Sequence, residues 1–220
     1  MSAIRVWDLP TRVFHWALVA FFLGSVTTGL AGGDAMPWHL RFGYSVLSLL
    51  LFRLVWGVVG GRWSRFASFA YSPATVLRYL KGNRPPEHSI GHSPLGAGSV
   101  FALLGLLLVQ VATGLISDDE ISTSGPLSKF VSNAMVSQAT FYHAEVGKLI
   151  LIALVVLHIG AVLFYLVKKR ENLIRPMIRG DKETVITATG SRDDGWARGL
   201  GATLFLGCAA LVAWMVRLAG

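Results

Sequence analysis

His143 and His158 stand at the two ends of one long apolar run, residues 141–165, and lie fifteen residues apart. On a helix that spacing is ~22 Å along the axis and ~60° around it. The apolar core of a bilayer is about 30 Å thick, so one imidazole falls near each membrane surface, both toward broadly one side. An imidazole buried in lipid is costly unless it is bonded. A metal at each depth supplies that bond, provided other helices bring partners to the same two depths.

The elements that must bring them are apolar helices. Of the 220 residues, 53% are hydrophobic and only 15% are charged, and the mean hydropathy is +0.57. That excludes a soluble enzyme and marks a helical integral membrane protein, with the lipid bilayer as its first partner. Five spans are predicted, at about residues 13–31, 38–60, 94–116, 143–167 and 196–217. The first carries His15 near its start, with Trp16 beside it at interface depth. The second opens on His39 and has Arg53 toward its end. The third holds no histidine, and Gln110 is its only strongly polar residue. The fifth has neither histidine nor acid. Between spans, Ser72 and Pro73 start a short surface helix, as N-cap and first helical residue. Residues 117–142 read as a loop and 183–195 as a Thr/Gly/Asp linker. The first span has the outline of a secretory leader, but His15 within it and the lack of an A-x-A site argue for retention. The single cysteine, Cys208, leaves no internal disulfide and no multi-cysteine metal site.

The formal charge of +8 is an orientation signal before it is anything else, and no nucleic-acid partner is expected. Lys and Arg cluster at the amino terminus, in 61–94 and in 168–198, while the loops after the first and third spans hold only Lys129. The amino terminus is therefore expected in the cytoplasm and the carboxyl terminus outside. His15 and His158 then share the inner depth, and His39 and His143 share the outer one. Two imidazoles leave zinc or copper under-coordinated, whereas a haem iron needs only two axial ligands. Bis-histidine ligation also leaves no open position, which suits electron transfer. Gly24, Gly29, Gly43, Gly114, Gly147 and Gly160 offer room for flat macrocycles and close helices. The physical rival is a haem-free transporter with a two-histidine proton relay. Such relays usually add intramembrane acids, which these spans lack apart from Glu145 near the surface.

The stretches VWDLPTRVFHW (6–16), WHLRFGY (38–44), FRLVWG (52–57), GHSPLG (91–96) and ENLIRPMIRG (171–180), with the His143/His158 run, resemble the bacterial cytochrome b561 and nickel-iron hydrogenase cytochrome b family. The resemblance covers residues 3–182. Ser93 stands where the family often has Asn, and the fifth span lies outside the common four-helix core. The resemblance implies an all-α integral membrane helical bundle in the bacterial inner membrane. It implies two b-type haems, on His15/His158 toward the cytoplasm and His39/His143 toward the periplasm, with quinone as the redox substrate. Residues 1–182 form the di-haem module, and residues 183–220 a linker and fifth transmembrane helix. Docking a partner or pairing two copies are the roles open to that helix. Arg41, within a turn of His39, is expected on a haem propionate. Arg53 reads equally as a propionate partner and as a snorkelling cation. His88 and His92 read as loop residues, solvation being favoured for His92 over lining a quinone site. Electrons are expected to pass between a periplasmic redox partner and the quinone pool. The acidic Asp118, Asp119 and Glu120 would steer a basic cytochrome c. Oxidation of superoxide with quinone as acceptor, and a haem-bearing anchor for a hydrogenase-type subunit, are the alternatives.

Overall fold

The structure is a computed structural model, which describes residues 2–119 and 123–219. Its elements in chain order are β1 (Ser2–Arg5), α1 (Leu9–Ala31), α2 (Met36–Val59), α3 (Pro73–Leu80), α4 (Pro94–Leu115), α5 (Asn133–Phe141), α6 (Lys148–Lys168), α7 (Ile174–Arg179), β2 (Asp181–Thr184) and α8 (Gly195–Ala219). Among the described residues, five helical stretches are long and apolar enough to cross a membrane: Leu9–Ala31, Gly33–Val59, Pro94–Leu115, Asn133–Lys168 and Gly195–Ala219. The protein is an all-α membrane helical bundle, as its composition predicts.

The chain forms two compact units, and every span contributes a stretch to each. One unit comprises Met1–Phe14, Arg53–Ala102 and Leu157–Leu204; the other comprises His15–Phe52, Leu103–Val156 and Phe205–Gly220. The first unit holds the basic connections. Its centre is Asp8, which is fully buried and caps α1. Asp8 Oδ1 accepts from Thr11 N at 2.8 Å and Trp56 Nε1 at 3.1 Å, and Oδ2 accepts from Ser64 Oγ at 2.7 Å. This cap, with Pro10 in the first turn where its missing N–H costs nothing, starts the helix at Leu9, four residues before hydropathy alone predicts. A Cβ at Gly61 would lie 2.3 Å from Asp8 Oδ2, so only glycine lets that loop approach. Asp8→Ala leaves three buried donors without this acceptor. We expect it to cost about 3 kcal/mol, read as a lower thermal midpoint in detergent, with Asp8→Asn losing less.

The expected linker 183–195 is partly ordered into the same unit. β2 pairs antiparallel with β1, from Ser2 opposite Thr184 to Arg5 opposite Asp181. Arg5 Nη1 meets Asp193 Oδ2 at 2.7 Å, and Arg198 Nε meets Asp193 Oδ1 at 3.1 Å. Burial pushes the Asp193 carboxyl up, but bonds from Arg198 and Leu9 N–H, with the Arg5 cation, outweigh it and hold the group below its ordinary value. The surface helix α3 begins as predicted, with the Ser72 side chain accepting from Thr75 N.

In the second unit α8 lies against α2. Phe205 meets Phe52 edge-on at 6.1 Å, and Tyr44, Ser45, Ser48, Ala209, Val212 and Val216 line one groove. The fifth span is thus packed onto the core helices. The fourth span departs most from expectation. It begins ten residues early, at Asn133, where the Ser132 side chain caps α5 by accepting from Met135 N at 3.3 Å. Between α5 and α6, residues Tyr142–Gly147 form a π-turn. A π-turn takes an extra residue into one turn and so changes angular phase by about 100°. The ~60° offset that an unbroken α-helix predicts for His143 therefore does not hold.

Candidate functional site

In the second unit the rings of His39 and His143 face one another with centroids 5.9 Å apart and planes at 84°. His39 sits in the first turn of α2, and His143 sits in the π-turn. Each ring is fixed by its Nδ1: His39 Nδ1 lies 2.8 Å from Ser25 O, and His143 Nδ1 lies 2.8 Å from Gln110 O. A carbonyl oxygen only accepts, so each Nδ1 carries the proton and each Nε2 keeps its lone pair. A histidine that binds a metal through one ring nitrogen commonly donates its other N–H to a carbonyl in this way. This donor set, two imidazoles whose Nε2 atoms are free of those bonds, suits a haem iron, which the pair could hold. Two glycines complete the cradle. A Cβ at Gly29 would lie 2.9 Å from His39 Nδ1, and one at Gly114 would lie 2.7 Å from His143 Cε1. Among the described residues no three His, Cys, Asp or Glu side chains gather into a metal cluster, so the ligand sets on offer are pairs.

His15 and His158 fall in different units and are placed within their own. The His15 ring meets Trp16 edge-on at 5.0 Å, and both His15 and His158 are half-buried. Near His158 the first unit holds a residue that hydropathy assigned to solvent. The His92 ring lies between Trp7, at 4.6 Å, and Phe69, at 4.4 Å. Its Nδ1 is buried with no hydrogen-bond partner among the described residues. Burial first, then the Arg53 cation and His158, push the His92 imidazole down to about 3, so it is neutral at physiological pH. This corrects the expectation of a solvated loop histidine. His88, whose ring meets Tyr71 at 4.9 Å, also keeps a buried Nδ1.

The two arginines separate clearly. Arg41 is exposed and stacks over the Trp38 ring at 4.7 Å. Arg53 is 3% exposed, lies over the Phe66 ring at 4.5 Å and has a buried Nη1 with no hydrogen-bond partner among the described residues. A snorkelling cation keeps its head in water, so that reading of Arg53 is ruled out. Of the glycines singled out by sequence, Gly24 packs on Phe42 and Gly147 on Gln110, while no described residue's atoms lie within 4 Å of a Cβ at Gly43 or Gly160. In the acidic loop, Asp118 pairs with Ser124 in an antiparallel bridge. Glu120 lies outside the described residues. Gln110 was not singled out as a site residue, although a lone amide in the 22 residues of α4 was the available signal.

Known proteins share sequence with this chain over most of its length. The family model described as prokaryotic cytochrome b561 matches residues 6–180. A probable Ni/Fe-hydrogenase B-type cytochrome subunit of Rhizobium leguminosarum bv. viciae is 25% identical, over 82% of this chain and 89% of its own. The protein of the same name from Rhodobacter capsulatus is 24% identical, over 82% of each chain. A probable Ni/Fe-hydrogenase 1 B-type cytochrome subunit of Escherichia coli K12 is 24% identical, over 50% of this chain and 57% of its own. Facing imidazoles on apolar helices and a family match over most of the chain have one reading: the chain belongs to the prokaryotic cytochrome b561 family, and is a membrane b-type cytochrome of electron transfer.

Proposed function

We propose that this cytochrome carries electrons across the bacterial inner membrane between a redox partner at the outer face and the quinone pool, using two bis-histidine haems. The observation that carries the reading is the facing His39–His143 pair, each ring oriented by a backbone carbonyl. His39 and His143 would hold the outer haem, and His15 and His158 the inner one. Bound there, haem b supplies one-electron chemistry. The residues do the rest: Ser25 and Gln110 carbonyls hold the Nδ1 protons, and Gly29 and Gly114 keep the imidazoles' space clear. A buried guanidinium calls for an anion, and a propionate at Arg53 meets that need. Arg41, exposed over Trp38 and within a turn of His39, would offer its guanidinium to a propionate of the outer haem. Residues 1–182 form the haem module, with residues 183–220 appended, the amino terminus in the cytoplasm and the carboxyl terminus outside. The fifth helix can also pair two copies.

The relatives' name favours one class of outer partner, a hydrogenase-type catalytic subunit for which the chain is the haem-bearing anchor. A basic cytochrome c docking on Asp118 and Asp119 is the alternative. Membranes containing the protein should give a b-type reduced-minus-oxidised spectrum, and a quinol should reduce part of it. A colourless preparation, or haem indifferent to quinol, would overturn the proposal. Co-purification of a large metallo-subunit would assign the partner to the hydrogenase class.

A further inference from the structure

The π-turn at Tyr142–Gly147 stands where His143 must be aimed, and Gln110 is what meets it. A widened turn opens its carbonyls to side-chain donors. Gln110 Nε2 donates to His143 O at 2.9 Å, and the backbone O of the same residue lies 2.8 Å from His143 Nδ1. One residue of α4 therefore grips both the main chain and the ring of His143. The main-chain bond fixes where the ring starts, and the Nδ1 bond fixes how it is turned. Space for this grip is made by Gly147, because a Cβ there would lie 2.0 Å from Gln110 Oε1. Gln110 Oε1 is buried and has no hydrogen-bond partner among the described residues. A buried unpaired acceptor is unfavourable. The bond that the amide does make, from Nε2 to His143 O, is the one that offsets this.

We infer that Gln110 is the positioning residue of the outer ligand His143, locking the π-turn through its side-chain amide and the imidazole plane through its backbone carbonyl. The inference rests on His143 being an iron ligand, as proposed above. Gln110→Leu removes the amide and leaves the backbone carbonyl. His143 then keeps its ligand nitrogen but loses its fixed plane. The expected result is an unchanged haem-to-protein ratio, a shifted and broadened low-spin ferric signal of one haem, a shifted midpoint potential for that haem, and faster loss of it on warming. The second haem should be unaffected. Gly147→Ala displaces the amide without deleting it and should reproduce the Gln110→Leu signal, which covers the case in which that variant folds poorly. If Gln110→Leu and Gly147→Ala both leave the signal and potential of each haem as in the wild type, the inference is wrong. If His143→Ala loses no haem, the ligand assignment itself fails, and the two failures are thereby distinguished.

Discussion

Replacing His39 by alanine should lower the haem content from about two per chain to about one, and His143→Ala should remove the same haem. An iron held by two axial imidazoles loses half of its protein ligation when either is removed. The remaining imidazole would then be the one protein ligand left to that iron. His15→Ala and His158→Ala should each remove the other haem. The measurement is a haemochrome assay against protein mass on purified variants, with the retained haem's absorption band as internal control. The discriminating pattern is the pairing. If His39→Ala and His143→Ala left different haems behind, they could not ligate the same iron.

A side chain at Gly114 should cost nearly as much as losing the ligand. Its Cβ would lie 2.7 Å from His143 Cε1 and 3.0 Å from Nδ1, distances that packed atoms do not sustain. The ring has nowhere to go without leaving the Gln110 carbonyl, and the flanking π-turn ties its backbone down. Gly114→Val is therefore expected to lose the outer haem, or to retain it at a small fraction of native occupancy. Gly105→Val on the same helix is the control, because among the described residues nothing lies within 4 Å of a Cβ there. Normal haem content and spectrum in Gly114→Val would mean that the imidazole cradle is not as tight as described.

Much of this was open to a reading of the chain, and the reason is the bilayer. Lipid forces uninterrupted apolar runs, so five spans stand out by hydropathy, and polar residues within them are few enough to be weighed singly. His39 and His143 could be matched by depth because helical rise is constant. What hydropathy does not encode is where polar sequence continues a helix. Asn133–Phe141 scatters Asn, Ser, Gln and Thr among apolar residues, so by hydropathy it read as loop, although Ser132 caps it as a helix. Asp8 extends α1 through a buried cap whose partners, Trp56 and Ser64, are far away in sequence. The pairing of Ser2–Arg5 with Asp181–Thr184 joins short polar strands across nearly the whole chain, without the alternation that marks a longer strand. The π-turn has no periodic signature either. It coincides with the tertiary contact of Gln110 with His143, which a single helix read alone cannot show.

Electron paramagnetic resonance of the oxidised protein tests the His39–His143 pair most directly. Imidazole planes at 84° leave the lower d orbitals of low-spin ferric iron nearly degenerate, which gives a strongly anisotropic signal with an extreme low-field feature. Such a signal is predicted for one haem of the wild type, absent from both His39→Ala and His143→Ala. A high-spin signal from that haem, or a low-spin signal that survives both replacements, would contradict the pairing.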